Sequence, residues 1–194
     1  MECNCAKEAN NTKDKKLLWI VLSINFGLFV IGITAGLIAN SMGLVADSLD
    51  ELADAIVYGL AIYAISGSML VKKRIARFSA IMQTILACWG FYEIVSRFVE
   101  CGEIPNFTIM IIISCVAVVG NAVSLYFLNK SNTEEVHIKA TQIFTANDVI
   151  VNLGVILAAI LVAVLQTKIP DLVIGAIVFA IVLRGAIKIF RMAR

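Results

Sequence analysis

Charge is scarce in this 194-residue chain: Asp, Glu, Lys and Arg make up 15% of it, against 60% hydrophobic residues. That scarcity excludes a water-soluble globular domain, which carries roughly a quarter of its residues as charges. The cysteines are five, an odd number, and Cys88, Cys101 and Cys115 fall in or beside apolar stretches. A disulfide-stapled secreted domain is therefore excluded. The net charge of +2 is too small to attract a polyanion, so no nucleic-acid partner is expected. Residues 1–16 (MECNCAKEANNTKDKK) lack the apolar centre of a cleavable signal peptide and read as a short tail on the cytoplasmic side. Internal repeats and low-complexity segments are also missing, which leaves residues 17–194 as one membrane domain.

Long apolar stretches separated by short polar ones predict an all-α membrane protein with six transmembrane helices. The expected spans are Leu17–Ala39, Met42–Ile65, Ala76–Phe98, Phe107–Phe127, Ile138–Leu165 and Leu172–Phe190. Lys and Arg set their direction. Fourteen basic residues lie in the tail, the second and fourth loops and the C-terminal end, and two, Arg97 and Lys168, lie on the other side. By the positive-inside rule both termini are cytoplasmic, and the even span count agrees. The chain ends within a few residues of the sixth span, so no soluble domain is expected after it.

The second span reads SMGLVADSLDELADAIVYGLAIYAIS and holds Asp47, Asp50, Glu51 and Asp54. On an insertion scale each central carboxylate costs about 2.5–3.5 kcal/mol, while each Leu, Ile or Val returns only about 0.3–0.6 kcal/mol. The span's nine such apolar residues do not offset four acids. These acids must be protonated, hydrated, paired with a cation or shielded by other helices, and each of those makes the helix part of a polar cavity. Asp47, Asp50 and Asp54 stand at i, i+3 and i+7, on one helical face. No Lys or Arg lies deep enough in a span to act as a fixed counter-ion. The missing positive charge is read as the substrate.

The fifth span contributes FTANDVIVNLGV, with Asn147 beside Asp148 and Asn152 one turn beyond. From His137, Asp148 is reached after about eleven residues, or roughly 16 Å of helix. The second span starts from the opposite side near Ser41 and reaches Asp50 and Asp54 at a matching depth. A single midplane site shared by the two spans follows. Its oxygen ligands suit Zn²⁺, Mn²⁺, Co²⁺ or Fe²⁺ better than copper(I), which prefers sulfur. Because such ligands bind metal only when deprotonated, metal arrival displaces protons and provides a route to proton-coupled exchange. The candidate metal residues are Asp50, Asp54, Asp148, Asp47, Asn147 and Asn152.

These residues resemble the cation diffusion facilitator family. Its second-helix signature, close to ADAxHxxxD or VDSxxD, is matched here by ADSLDELAD, with Asp47 at the first aspartate, Asp50 at the position held by His or Asp, and Asp54 at the last aspartate. Its fifth-helix signature HxxxD is matched at Asp148, while Phe144 stands where the histidine or aspartate would be. Asn25 in INFGLFV and Asn121 in VVGNAVSLYFL also resemble the family, so the likeness covers almost the whole chain. It implies a transporter and no enzyme, exporting zinc, cobalt, cadmium, iron or manganese against protons across the cell (inner) membrane, as a homodimer within the lipid bilayer. The string NDVIVN resembles a short subgroup without the C-terminal cytoplasmic domain. With Phe144 in place of a ligand, Asn147, Asn152, Asp47 or water would complete the metal shell.

Several residues admit more than one reading. Asn147 and Asn152 serve equally as interhelical hydrogen-bond partners, a common use of Asn in membranes. Glu51 is expected to face water or a second subunit, Asn25 to pack between helices, and His137 to be a solvated interfacial side chain. Cys3 and Cys5 form a CxC pair able to capture a soft ion. Two other functions use the same acids. An intramembrane aspartyl hydrolase would pair Asp54 with Asp148, but the chain has no GxGD string; a proton or cation channel would need no tight site.

Overall fold

The computed structural model describes residues 4–66, 69–99, 103–130 and 136–192, and every long element in it is helical. The helices are α1 (Asn4–Ala39), α2 (Met42–Ser66), α3 (Met69–Val99), α4 (Phe107–Asn129), α5 (Val136–Leu165) and α6 (Ile169–Met192). They match the six expected elements in order and in place. The first is longer than anticipated, because helix already begins at Asn4; its apolar part is Lys15–Ala39. Cys3, Cys101, Glu134 and Glu135 lie outside the described residues, as do the side chains of Cys5, His137 and Phe144.

Among the described residues, four helical stretches are long and apolar enough to cross a membrane: Lys15–Ala39, Phe107–Asn129, Thr145–Leu165 and Ile169–Ile187. The six expected spans are thus six helices, of which four qualify on length and composition alone. For α2 the reason is its acids. Every 18-residue window of Met42–Ser66 contains at least Asp50, Glu51 and Asp54, so hydropathy does not register it as a span.

The distribution of polarity is the reverse of that in a water-soluble protein. Trp19, Phe26, Ile38, Tyr92, Val119 and Ile150 are exposed, whereas Asn25, Asp47, Glu51, Asn121, Asp148 and Asn152 are buried. An apolar exterior around a polar interior is the arrangement a bilayer requires. The chain is a multi-pass membrane protein.

Helix α2 occupies the centre, packed against α1, α6, α3 and, over a shorter stretch, α5; α4 packs on α5 and α1, and α3 on α6. Two chain reversals fix this order. Asn40 adopts φ 57° at the end of α1, while Ser41 N–H bonds to the Gly36 carbonyl at 2.9 Å and Asn40 N–H to that of Leu37 at 3.3 Å. This is the Schellman closure, in which a left-handed residue satisfies the last carbonyls of a helix. A second left-handed residue, Gln166 at φ 50°, turns α5 into α6. The start of α2 is capped from a distance by Asp171 of α6, which accepts from Ser41 Oγ at 2.5 Å, Met42 N at 2.7 Å and Gly43 N at 3.0 Å. Gly175 of α6 is needed here, since a Cβ on it would meet the Met42 carbonyl group at 3.0 Å. The helix bearing the acids is therefore held firmly at its first turn by both α1 and α6.

Candidate metal site

Three contacts define the seam between α2 and α5, and all run antiparallel. Nearest the α2 C-terminus, Tyr58 OH lies 2.7 Å from Thr145 Oγ1 and donates to Asp54 Oδ2 at 3.3 Å. One turn on, Asp54 and Asp148 face each other across the seam and interact. Beyond them Asn152 Nδ2 donates to Asp47 Oδ1 at 3.1 Å and also to the Asp148 carbonyl at 3.0 Å. The helical period explains the alignment: Asp47, Asp54 and Tyr58 recur at i, i+7 and i+11 on α2, and Thr145, Asp148 and Asn152 at i, i+3 and i+7 on α5.

The structure brings five of the six expected site residues together. Asp47, Asp148 and Asn152 are buried, and Asp50 and Asp54 are half-buried. Asp148 interacts electrostatically with Asp54, Asp50, Glu51 and Asp47, so the acids of α2 and α5 form one group. The sixth residue, Asn147, is exposed. One residue of helix turns the side chain by about 100°, which carries Asn147 away from the seam that its neighbour Asp148 enters. Tyr58 and Thr145 are members of the site that the sequence reading missed, although each had a signal: Tyr58 follows Asp54 by four residues and Thr145 precedes Asp148 by three.

Glu51 corrects another expectation. It is buried at 3% exposure, where a charge facing water or a partner subunit had been anticipated, and its Oε1 accepts from Asn121 Nδ2 of α4 at 2.6 Å. Its place on α2 accounts for this. At i+4 from Asp47 and i−3 from Asp54, it lies on the flank of the acidic stripe turned toward α4.

The seam's chemistry follows from unpaired atoms. Asp148 Oδ2 and Asn152 Oδ1 are buried and without a hydrogen-bond partner. Carboxylates gathered in a membrane helix pair need a proton or a cation to offset their charge. Asp47 and Asp54 are seven residues apart, roughly 10 Å along the axis, and the acids are strung along the seam instead of closed round one point. Among the described residues, no three His, Cys, Asp or Glu side chains converge tightly enough to hold a metal ion in this conformation.

The description "cation efflux transmembrane domain" matches residues 18–194 of the chain. The chain belongs to the cation efflux family. No curated relative matches it. Members of the cation efflux family are transporters and not enzymes, which sets aside the aspartyl hydrolase, and their substrates are divalent metal cations. In a cation efflux protein the acids of α2 and α5 stand out, because carboxylates are expensive to bury in a membrane and call for a neutralising partner.

Proposed function

We propose that this cation efflux protein exports a divalent metal of the zinc, cobalt, cadmium, iron or manganese class across the cell (inner) membrane in exchange for protons. Asp50, Asp54 and Asp148 bind the ion near the midplane, and Asp47 and Asn152 complete or orient the shell. The observation that carries this is the α2/α5 seam itself, closed by the Tyr58–Thr145 and Asn152–Asp47 contacts on either side of Asp54 and Asp148, with Asp148 Oδ2 buried and unpartnered within it. The residues fit a divalent ion, since they are oxygen donors already gathered on two facing helices. Asn147, being exposed, contributes no ligand in this reading.

The family supplies the ion class and these residues supply the coupling. A proton offsetting the charge of Asp54 and Asp148 has to leave before a metal can take both oxygens, so loading the ion releases a proton and reprotonation expels the ion. Tyr58, held by Thr145, orients the Asp54 carboxylate, and Asn152 orients Asp47, as hydrogen-bonding neighbours of metal ligands generally do. For the acids to close on one ion, α2 and α5 must draw together around the seam. All six helices span the bilayer in this proposal, with both termini cytoplasmic and residues 4–16 extending α1 on that side, and the protein works as a homodimer.

The test is uptake of each metal into proteoliposomes with an internal pH dye. Metal-dependent proton movement that disappears in Asp54→Asn and Asp148→Asn is expected. Metal transport that persists in Asp148→Asn would remove the site, and metal flux without proton movement would remove the antiport.

A further inference from the structure

The paired helices α3 and α6 carry a groove that the transport reading leaves unused. They run antiparallel: Lys168, just before α6, bonds to the Arg97 carbonyl near the end of α3, and further in the Phe179 ring lies against Gly90 and 6.0 Å from the Phe91 ring. Beyond that contact, toward the start of α3 and the end of α6, lies a groove of about 470 Å³ lined by Ile81, Thr84, Ile85, Ile187, Phe190 and Arg191. Ile85 is 56% exposed and Ile187 44%, so the groove is open to the bilayer. Thr84 adds no polarity, because its hydroxyl donates to the Ala80 carbonyl at 2.7 Å. An apolar concavity with one charged group at its rim is the usual form of a small-molecule site.

Positive charge gathers on the same faces. Arg74 and Arg77 precede Ile81 and Thr84 by seven residues each, two helical turns, so they continue the groove face of α3; Arg184 precedes Arg191 by seven on α6. All four arginines are exposed. From Ala55 to Tyr92 and from Leu172 to Arg194 the sequence holds eight Lys and Arg and no Asp or Glu. At the opposite end of these two helices the basic residues are held by the protein, Arg97 by Glu93 and Asn40, and Lys168 by the Arg97 carbonyl. Arg184 and Arg191 have no hydrogen bond or ion pair among the described residues. The apolar stretch of α6 ends at Ile187. Arg184 stands three residues inside that end and Arg191 four residues outside it, roughly 5 Å and 6 Å along the axis, so the two bracket the boundary between hydrocarbon and headgroups. An arginine exposed inside a span is costly without a partner.

We propose that the α3/α6 groove binds one anionic phospholipid, with an acyl chain along Ile81, Ile85, Ile187 and Phe190 and the phosphate held by Arg184 and Arg191, while Arg74 and Arg77 add positive charge on the α3 wall. Guanidinium groups match phosphate oxygens in charge and in hydrogen-bond geometry, and basic pockets between membrane helices take anionic headgroups. Topology alone asks for basic residues near this end of the helices; it does not ask for them to line one groove. A second copy of the chain fits the groove poorly, because it would bring the same arginines to face each other with no acid between them. The lipid takes from the transport reading only the side on which the termini lie. Its readout is lipid binding without transport, so either reading can fail alone.

The experiment is native mass spectrometry of the purified full-length chain released from detergent micelles and titrated with phosphatidylglycerol or with phosphatidylcholine of the same acyl chains. One phosphatidylglycerol per chain, bound about tenfold or more tighter than phosphatidylcholine, is expected from two basic residues at a membrane surface. The double change Arg184→Gln and Arg191→Gln is expected to abolish that preference. Ile85→Trp keeps every charge but fills the groove, and is expected to weaken phosphatidylglycerol about tenfold, the worth of roughly two methylene groups kept out of an apolar seat. It decides the matter if the arginine variant does not fold. Lys15→Gln with Lys16→Gln removes as many charges from α1 and is expected to leave the affinity unchanged. Equal affinity for the two lipids, a preference that survives the arginine changes, or an Ile85→Trp variant that binds as the wild type does overturns the site. An equal loss in the lysine variant overturns it in favour of diffuse attraction, and competition by glycerol 3-phosphate at the lipid's own concentration in favour of a phosphate site without a chain. A dimer mass lost in Ile85→Trp while phosphatidylglycerol binding stays unchanged assigns the groove to a second copy instead.

Discussion

Asp171 offers the most quantitative check on how the helices are assembled. It is fully buried at the start of α6, yet its three hydrogen bonds go to the first turn of α2, 128 to 130 residues earlier in the chain. Asp171→Ala removes all three acceptor contacts and leaves two backbone N–H groups and a hydroxyl at a helix start packed against Gly175. Within a membrane protein, hydrogen bonds between helices average about 0.6 kcal/mol each, so three of them set a lower figure of about 2 kcal/mol. Unsatisfied buried donors cost more, about 1–3 kcal/mol each, and loss of an N-cap costs about 0.5–2 kcal/mol. With overlap between these effects, a loss of about 2–5 kcal/mol is expected. At roughly 2–4 °C per kcal/mol for a chain of this size, the unfolding temperature in nanodiscs falls by about 4–20 °C. Asp171→Asn, which keeps one acceptor oxygen, falls between the variant and the wild type. A drop of less than about 2 °C for Asp171→Ala would show that the α6 carboxylate does not anchor α2, and would refute the account of how the acid-bearing helix is positioned.

Other predictions address the seam. Tyr58→Phe leaves the Asp54 carboxylate without its orienting hydroxyl and is expected to lower metal affinity in an equilibrium binding assay by about tenfold, with the fold retained, since such neighbours are worth roughly 10–100-fold. Asn152→Ala frees Asp47 and is expected to reduce metal transport into proteoliposomes, whereas Asn147→Ala, one α5 residue that faces outward, leaves it at the wild-type rate; the opposite ranking would reverse the assigned face of α5. Metal affinity should fall as pH falls, because protons and metal compete for the same carboxylate oxygens; a binding isotherm unchanged between pH 8 and pH 6 would contradict the exchange mechanism. Gly36→Leu places a side chain against Val45, where even a Cβ would approach its backbone nitrogen to 3.0 Å. It is expected to destabilise the protein by about 1–3 kcal/mol or more, as overpacking does, read as a lower unfolding temperature.

How far the sequence alone reaches can be judged helix by helix. The alternation of apolar stretches with short polar ones located all six helices, although only four of them are long and apolar enough to qualify as spans on that ground alone. The acids of α2 and Asp148 of α5 were legible as charge that must be neutralised, since carboxylates in such runs are costly. Asn147 and Asn152 were indistinguishable on that basis: both are Asn in the same apolar run. Only the rotation of α5 against α2 separates them, turning Asn152 onto Asp47 and leaving Asn147 outside. Tyr58 and Thr145 escaped notice for the complementary reason, being ordinary residues in a membrane helix until a facing helix brings their hydroxyls within 2.7 Å. Glu51 was counted with the stripe by spacing, but its partner Asn121 is 70 positions away. Composition and period determine which segments are helices, which lie in lipid and which carry charge that must be neutralised, because these depend on transfer free energy and on 3.6 residues per turn. Which faces meet is decided by packing between helices distant in the chain, and that alone turns Asn152 onto Asp47 and Tyr58 onto Thr145 while Asn147 faces outward.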